Sequence, residues 1–238
     1  MVQCTLINRP LPRRDLKGVS MRWIDKLERR FGRLGIPNLM NIICAAQAVV
    51  WFLVMFVNAN LYYILSLTRT GLMRGYIWEV VTFLFVPTLT YSAFSLLLQL
   101  YFYWWVGNSL ERVWGSFRFT LYILIGVLGA VVSCLLTGSA GSSGIFLSLF
   151  FAYAWMWPEQ QILLFFFIPI RVKWLGLAAA VVWLFNFFSL GVTMAYRASL
   201  VFGLAGFLVF FGPELFAWCR DTITSYKRRR DWENRWKR

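Results

Sequence analysis

The stretch GSAGSSGIFLSLFFAYAWMW, residues 138–157, decides the fold of this chain. Its first part, Gly141-Ser142-Ser143-Gly144, is a Gly-x-Ser-Gly arrangement at the start of an apolar segment, and this arrangement can hold an intramembrane nucleophilic serine at Ser143. A serine hydroxyl is a weak nucleophile unless a neighbouring base removes its proton, and histidine is the usual base. The 238 residues contain no histidine. The sequence therefore keeps a serine site and lacks its usual base.

The composition around this stretch is that of a membrane protein. Hydrophobic residues make up 60% of the chain and charged residues only 14%, whereas about a quarter of the residues of a soluble domain are charged. Several apolar runs reach the roughly 20 residues that cross a hydrocarbon core. We therefore predict an all-α bundle of six transmembrane helices. The predicted spans are about 39–58, 86–107, 117–137, 143–157, 173–189 and 198–217.

The basic residues predict the orientation of the bundle. Lys and Arg in the segments that flank spans mark the cytoplasmic side of a membrane. Of the 24 Lys and Arg residues, all but Arg69, Arg74 and Arg197 fall on one side of the predicted spans. Both termini lie on that side, so both are predicted to be cytoplasmic. The expected location is an integral multi-pass position in a membrane, which is the plasma (inner) membrane if the source is bacterial.

The chain is predicted to have three parts. They are a basic cytoplasmic segment at 1–37, a six-helix membrane domain at 38–217 and a basic cytoplasmic tail at 218–238. Within the first part, residues 20–34 alternate apolar and basic positions at helical spacing, which predicts an amphipathic helix on the inner leaflet. Basic flanks of this kind suit anionic lipid headgroups. Nucleic-acid binding is not expected, because the basic residues lie beside spans.

No cofactor or metal site is predicted. The cysteines Cys4, Cys44, Cys134 and Cys219 form no CxxC pair, and we interpret them as unpaired small residues. The absence of histidine also excludes histidine ligands for zinc, iron or haem.

Four segments occur in an order that carries a family resemblance. They are Trp78-Glu79 followed by TFLF, Gly107-x-x-Leu110-Glu111 followed by WGSFRF (114–119), the Gly-x-Ser-Gly of 141–144, and LLFFFIPIRVKWLGL (163–177). Together they resemble the rhomboid family of intramembrane serine proteases over about 75–217. The resemblance implies a rhomboid-like six-helix bundle with Ser143 at the nucleophile position.

The same resemblance identifies positions where this chain departs from the family. The family's oxyanion-hole His-x-x-x-Asn on the second helix falls on Ser95 and Gln99, whose side chains can still donate hydrogen bonds. The catalytic histidine of the sixth helix falls on Leu200, counted from Gly203. The arginine of the family's Trp-Arg motif in the first loop is Glu79. By resemblance, the catalytic positions are vestigial.

Other residues offer poor substitutes for the missing base. Lys173 and Glu214 are predicted near the inner ends of their helices, roughly 20 Å from Ser143 at about 1.5 Å per residue. Glu79 lies on the outer side and could act only if the first loop folds over the serine. An active protease that uses Ser143 with an unconventional base therefore remains an alternative.

Small residues also predict close helix packing. Residues 138–144 are all Gly, Ser or Ala, and Ala195, Ser199 and Gly203 recur every four residues on the sixth helix. Small residues let membrane helices approach closely. We expect Gly144, Ser199 and Gly203 to form a contact between the fourth and sixth helices.

The predicted function follows from the resemblance and the departures. We expect a rhomboid pseudoprotease that is not an enzyme and that binds transmembrane segments of client membrane proteins, laterally between the second and fifth helices. The expected gate surfaces are Phe85, Leu97, Trp104, Trp183 and Phe187. A purely structural or transport role is a further alternative, although no inverted repeat typical of transporters is visible in the sequence.

Overall fold

The computed structural model describes residues 22–32, 35–87, 92–164, 168–189, 194–212 and 220. The longer helices are α1 (Arg22–Phe31), α2 (Leu39–Phe56), α6 (Ala93–Trp114), α7 (Ser116–Thr137), α8 (Ser143–Met156), α9 (Val172–Phe188) and α10 (Met194–Gly203). Three short helices, α3 (Leu61–Leu65), α4 (Arg69–Met73) and α5 (Glu79–Thr82), and a 3-10 turn at Phe83–Phe85 lie between α2 and α6.

Two of these helices are long and apolar enough to cross a membrane on their own. They are α2, with a mean hydropathy of 2.1, and α7, with a mean hydropathy of 2.5. The apolar helices α8 and α9 are shorter, at 14 and 17 residues. Helix α8 is shorter than the roughly 20 residues of a full span. A bilayer crossing by α8 would therefore require neighbouring segments to cover the two ends of the helix.

The predicted second span was wrong in its bounds, and the sixth is tested only in part. The second span was expected at about 86–107, but α6 runs from Ala93 to Trp114. At its polar end, Glu111 is buried and accepts a hydrogen bond from the Asn38 backbone N–H at 2.7 Å. The sixth span was expected at about 198–217, but α10 begins at Met194 and ends at Gly203, and a second helical segment follows at 205–212. Residues 213–217 lie outside the described part.

The expectation of an all-α fold was incomplete. Strand β1 (Leu67–Thr68) in the first loop pairs with β2 (Ser139–Ala140), and β3 (Gln161–Leu164) pairs with β4 (Ile168–Arg171). Both pairs are antiparallel. Strand β2 immediately precedes Gly141, so its pairing holds the first loop beside the start of α8. Two-residue strands of this kind arise from tertiary proximity, which explains why the local sequence did not predict them.

Helix α7 lies at the centre of the described bundle and packs against α6, α8 and α10. Its side chains Phe119 and Tyr122 are fully buried, and Tyr122 packs edge-on against Phe210 with ring centroids 5.2 Å apart. Gly129 on α7 permits the close approach of the last helical segment, because a Cβ built there would lie 2.7 Å from the Cβ of Ala205. The core therefore positions both α8 and α10 against α7.

Candidate functional site

A cavity of about 780 Å³ lies between α6, α7, α8, α9 and α10. Both Ser143 and Leu200, the nucleophile and base positions implied by the sequence, line this cavity. Its wall carries hydroxyl groups from several elements. They belong to Tyr103, Ser133, Thr137, Ser139, Ser143, Tyr196 and Ser199. The structure thus forms a cavity that is mainly apolar but carries several hydroxyl groups, and this cavity is the candidate functional site.

The two serines of the Gly-x-Ser-Gly stretch have different environments. Ser142 is buried, and its hydroxyl donates to the Val86 carbonyl at 3.1 Å, which ties the end of the first loop to the start of α8. Ser143 is the first residue of α8 and its side chain is exposed to the cavity. Within the described part of the chain, the Ser143 hydroxyl has no hydrogen-bond partner. No side chain described here activates it as a nucleophile.

The helix that should carry the catalytic base lies directly against α8. A Cβ built on Gly144 would lie 2.8 Å from the Cα of Gly203, so α8 and α10 are in backbone contact one residue after Ser143 and three residues after Leu200. Ser199, expected to join this contact, lines the cavity, and its hydroxyl donates to the Tyr196 carbonyl at 2.8 Å. Among the described residues that line the cavity, none is Lys, His, Asp or Glu.

Ser95 and Gln99, the expected oxyanion positions, are not among the described residues that line the cavity. Ser95 is exposed and Gln99 is half-buried on α6. The Gln99 side chain faces the Tyr103 hydroxyl, one helical turn further along α6, and Tyr103 does line the cavity. The polar group that this face of α6 contributes to the cavity is therefore Tyr103 rather than Gln99.

The first-loop motif, Trp78 and Glu79, makes its contacts within the first loop. Glu79 is buried, and one of its carboxylate oxygens accepts from the Thr68 backbone N–H at 2.9 Å and from the Thr68 hydroxyl at 3.2 Å. The carboxylate also fills the space beside Gly71. Trp78 is exposed and stacks on Tyr76 with ring centroids 4.7 Å apart. Glu79 is not among the described cavity-lining residues, so this geometry does not support it as a base for Ser143.

The remaining candidate bases are Lys173 and Glu214. Lys173 donates to Glu159 at 2.8 Å, and Arg171 donates to the other carboxylate oxygen of Glu159 at 2.9 Å. The hydrogen bond from Lys173 is the main reason that the pKa of Glu159 lies below its ordinary value. Glu214 lies outside the described residues.

The described part of the chain contains no group of His, Cys, Asp and Glu that could hold a metal ion. Cys44 and Cys134 are free and buried, while Cys4 and Cys219 lie outside the described residues.

Sequence reasoning missed the two tyrosines of the cavity. Tyr103 stacks face to face on Phe146 of α8, with ring centroids 4.1 Å apart, and Tyr196 lies on α10 one turn before Leu200. Both could have been found by helical spacing, because Tyr103 is four residues after Gln99 and Tyr196 four residues before Leu200.

The expected gate residues lie in different positions relative to the cavity. Trp183 lines the cavity and stacks on Phe187 with ring centroids 5.5 Å apart. Leu97 and Trp104 are exposed on α6, and Phe85 is half-buried in the 3-10 turn. Except for Trp183, none of the expected gate residues is among the described residues that line the cavity. Helix α9 buries only Val172 among its described residues, so its contact with the bundle is sparse.

A bundle of apolar helices around a cavity that carries several hydroxyl groups, with a Gly-x-Ser-Gly serine at the start of a short helix, defines a helical membrane protein with a candidate serine site. The family comparison agrees with this class: the rhomboid domain matches residues 74–213. The chain therefore belongs to the rhomboid family, and the resemblance noted from its motifs is confirmed. A comparison with curated proteins finds no significant match.

Proposed function

We propose that this chain binds transmembrane segments of client membrane proteins without cleaving them, as a rhomboid pseudoprotease. The observation that carries the proposal is the pairing of Ser143 with Leu200 in one cavity, in a chain of 238 residues with no histidine. Leucine has no group that can accept a proton. Ser143 therefore has no base at the family's position, and no Lys, Asp or Glu among the described lining residues takes that place.

The tyrosines of the cavity do not supply the missing chemistry. A phenol holds its proton at neutral pH, so it donates and accepts hydrogen bonds without acting as a strong base. The same property suits binding, because a segment with exposed backbone groups needs hydrogen-bond partners inside a membrane. A hydroxyl-lined cavity of about 780 Å³ offers such partners, which supports a role in holding a client helix that is locally unwound or polar.

The arrangement of the helices supports lateral access. Helix α9 has several large exposed apolar side chains, and Trp183 and Phe187 on it form a stacked pair at the cavity. We propose that a client enters between α6 and α9. The proposed topology has six spans with both termini in the cytoplasm, as the distribution of Lys and Arg favours.

A second candidate is an active intramembrane protease that uses Ser143 with an unconventional base. The observation that favours it is the free Ser143 hydroxyl, which is exposed to the cavity. A proteolysis assay in lipid separates the two candidates. The reporter carries a helix-destabilised transmembrane segment and is tested against the unchanged protein, Ser143→Ala and Leu200→His.

We expect neither the unchanged protein nor Ser143→Ala to cleave the reporter, and both to co-purify with it. Cleavage that Ser143→Ala abolishes would overturn the proposal. Labelling by a serine-directed phosphonate gives an independent readout. The unchanged protein is expected to remain unlabelled, and labelling gained by Leu200→His would show that position 200 can serve as a base for Ser143.

A further inference from the structure

Helix α1 lies outside the cavity and has no part in the proposed function. Its described side chains fall on different faces, since successive residues turn by about 100° in an α-helix. Leu27 and Phe31 share one face, and Glu28 lies on one flank of it. Lys26 and Arg30 lie on the flank nearly opposite Glu28, Arg29 lies on the back of the helix opposite Leu27 and Phe31, and all three basic residues are exposed.

The acidic flank fixes α1 to the bundle. The Glu28 carboxylate accepts two hydrogen bonds from the Arg118 guanidinium, from Nε at 2.8 Å and from Nη2 at 2.7 Å. Arg118 lies in the first turn of α7, a helix apolar enough to span a membrane. A paired arginine at the end of such a helix lies at the level of the lipid headgroups. The ion pair therefore places α1 at that level.

The chain after α1 is also held to the bundle. A Cβ on Gly35 would lie 2.6 Å from the Phe117 backbone nitrogen, so this segment passes directly over the start of α7. The Ile36 backbone N–H donates to the Thr120 hydroxyl at 3.1 Å, and the Asn38 backbone N–H donates to Glu111 at 2.7 Å. With these contacts on one side and the ion pair on the other, α1 is kept near the start of α7.

The apolar face of α1 is only partly covered by protein. Phe31 is 43% exposed, and the Arg30 guanidinium lies over its ring at 5.7 Å from the centroid. An exposed apolar face beside a row of exposed cations matches the boundary between acyl chains and anionic headgroups. The chain's net charge of +14 adds a long-range attraction to such a surface.

We infer that α1 is a binding element for anionic phospholipid, in which Lys26, Arg29 and Arg30 contact the headgroups while Leu27 and Phe31 enter the acyl boundary. The Glu28–Arg118 pair positions this element without competing for the lipid, because it lies on the other flank of the helix. The inference does not depend on client binding, so either can fail without the other.

A fluorophore near the end of α1 tests this inference on the full chain. Gly32→Cys is suitable for labelling, because Gly32 is exposed and a Cβ there would meet only the Glu28 Cγ, at 4.0 Å. The background carries Cys4→Ser and Cys219→Ser, while Cys44 and Cys134 are buried. The labelled protein is placed in nanodiscs of phosphatidylcholine alone and in nanodiscs with about one quarter phosphatidylglycerol, a fraction typical of anionic membrane surfaces.

We expect an environment-sensitive dye at this position to be shielded from water more strongly in the phosphatidylglycerol discs. Salt near 1 M should reverse the shielding, because the Debye length then falls to about 3 Å. Neutralising Lys26, Arg29 and Arg30 to Gln should weaken the surface-bound state roughly a hundredfold, at about fivefold for each cation. The matched control, Arg228, Arg229 and Arg230 to Gln, removes the same charge from the tail and should leave the signal unchanged.

A dye signal that is the same in both lipids and insensitive to salt would overturn the inference, and would leave the basic flank of α1 available to a soluble acidic partner. An equal loss of signal in the tail control would also overturn it, because net charge alone would then account for the effect. The lipid and salt series needs no substitution among the three cations, so it remains decisive if the neutralised variant does not fold.

Discussion

Gly144 and Gly203 bring α8 and α10 into backbone contact beside the cavity: a Cβ on Gly144 would lie 2.8 Å from the Cα of Gly203, and one on Gly203 would lie 3.2 Å from the Cα of Gly144. Real Cβ atoms essentially never lie within 3.0 Å of such an atom, so a side chain at position 144 would require the helices to shift. The contact sets the distance between the Ser143 and Leu200 positions, since each glycine lies within three residues of one of them.

Gly144→Ala should therefore destabilise the bundle. The new methyl group must displace α10, and overpacking of this kind costs about 1–3 kcal/mol. Thermal unfolding in detergent, or steric trapping in lipid, measures the loss. Gly212→Ala is the matched control, because a Cβ there meets nothing within 4 Å. Equal stability of the Gly144 and Gly212 variants would contradict the contact.

Filling the cavity should abolish client binding. Ser199→Trp projects an indole into the space lined by Ser143 and Leu200, and we expect at least a tenfold loss in the recovery of a transmembrane reporter, equivalent to about 1.4 kcal/mol. Asn186→Trp is the control, since Asn186 is exposed and its amide bonds only to the Val182 carbonyl of its own helix. A Ser199 variant that folds and binds normally would place the client elsewhere.

Restoring the family's arginine in the first loop should harm this chain. In Glu79→Arg, a side chain with no acceptor replaces the buried carboxylate that receives the Thr68 N–H and hydroxyl. Each donor left unsatisfied in a buried position costs about 1–3 kcal/mol. Glu79→Gln keeps one acceptor oxygen and should lose less.

Limited proteolysis within 57–92 measures how firmly the loop is held in each Glu79 variant. Equal protection of the loop in Glu79→Arg and the unchanged protein would show that the Thr68 contacts contribute little.

The segment between α8 and α9 should loosen at acid pH. The pKa of Glu159 is lowered in the folded protein, chiefly by the hydrogen bond from Lys173. A lowered carboxyl pKa contributes stability at neutral pH, which is lost as the pH falls through the folded-state value, below the ordinary pKa of a glutamate carboxyl. Hydrogen exchange of 157–173, followed from neutral to acid pH, should show faster opening in that range.

Glu159→Gln is the comparison for this acid response. It removes the titrating group, so its exchange should already be faster at neutral pH and should depend less on acid. The effect is expected to be modest because Glu159 is 65% exposed. The same acid response in both proteins would assign the opening to another group.

Much of the fold was accessible from local pattern. The apolar runs of α2, α7, α8 and α9 coincide with their predicted spans within one or two residues, because a long apolar segment in a membrane must satisfy its backbone as a helix. The end of α6 was not accessible in this way. Glu111 and Arg112 are a reason to end a span, yet α6 continues to Trp114. The Glu111 carboxylate accepts hydrogen bonds from the Asn38 N–H and the Ser116 hydroxyl, which the local pattern does not predict.

The candidate site, like the fold, was only partly predictable from the sequence. The Gly-x-Ser-Gly serine and the absence of histidine can be read directly from the sequence. Counting back from Gly203 identified Leu200, which lines the same cavity as Ser143. Counting back from Gly107 gave Ser95 and Gln99, which are not among the described residues that line the cavity. Tyr103, one helical turn after Gln99, does line it.

By itself, the sequence determined the membrane class, the rhomboid family and the absence of a histidine base, because composition, motif order and residue identity do not depend on folding. Three features depend on the tertiary structure. They are which hydroxyl groups share the cavity, the hydrogen bond that the Glu79 carboxylate accepts from Thr68, and the ion pair between Glu28 and Arg118, which are 90 positions apart in the chain. These contacts join residues far apart in sequence, and their geometry comes from how the helices pack against one another.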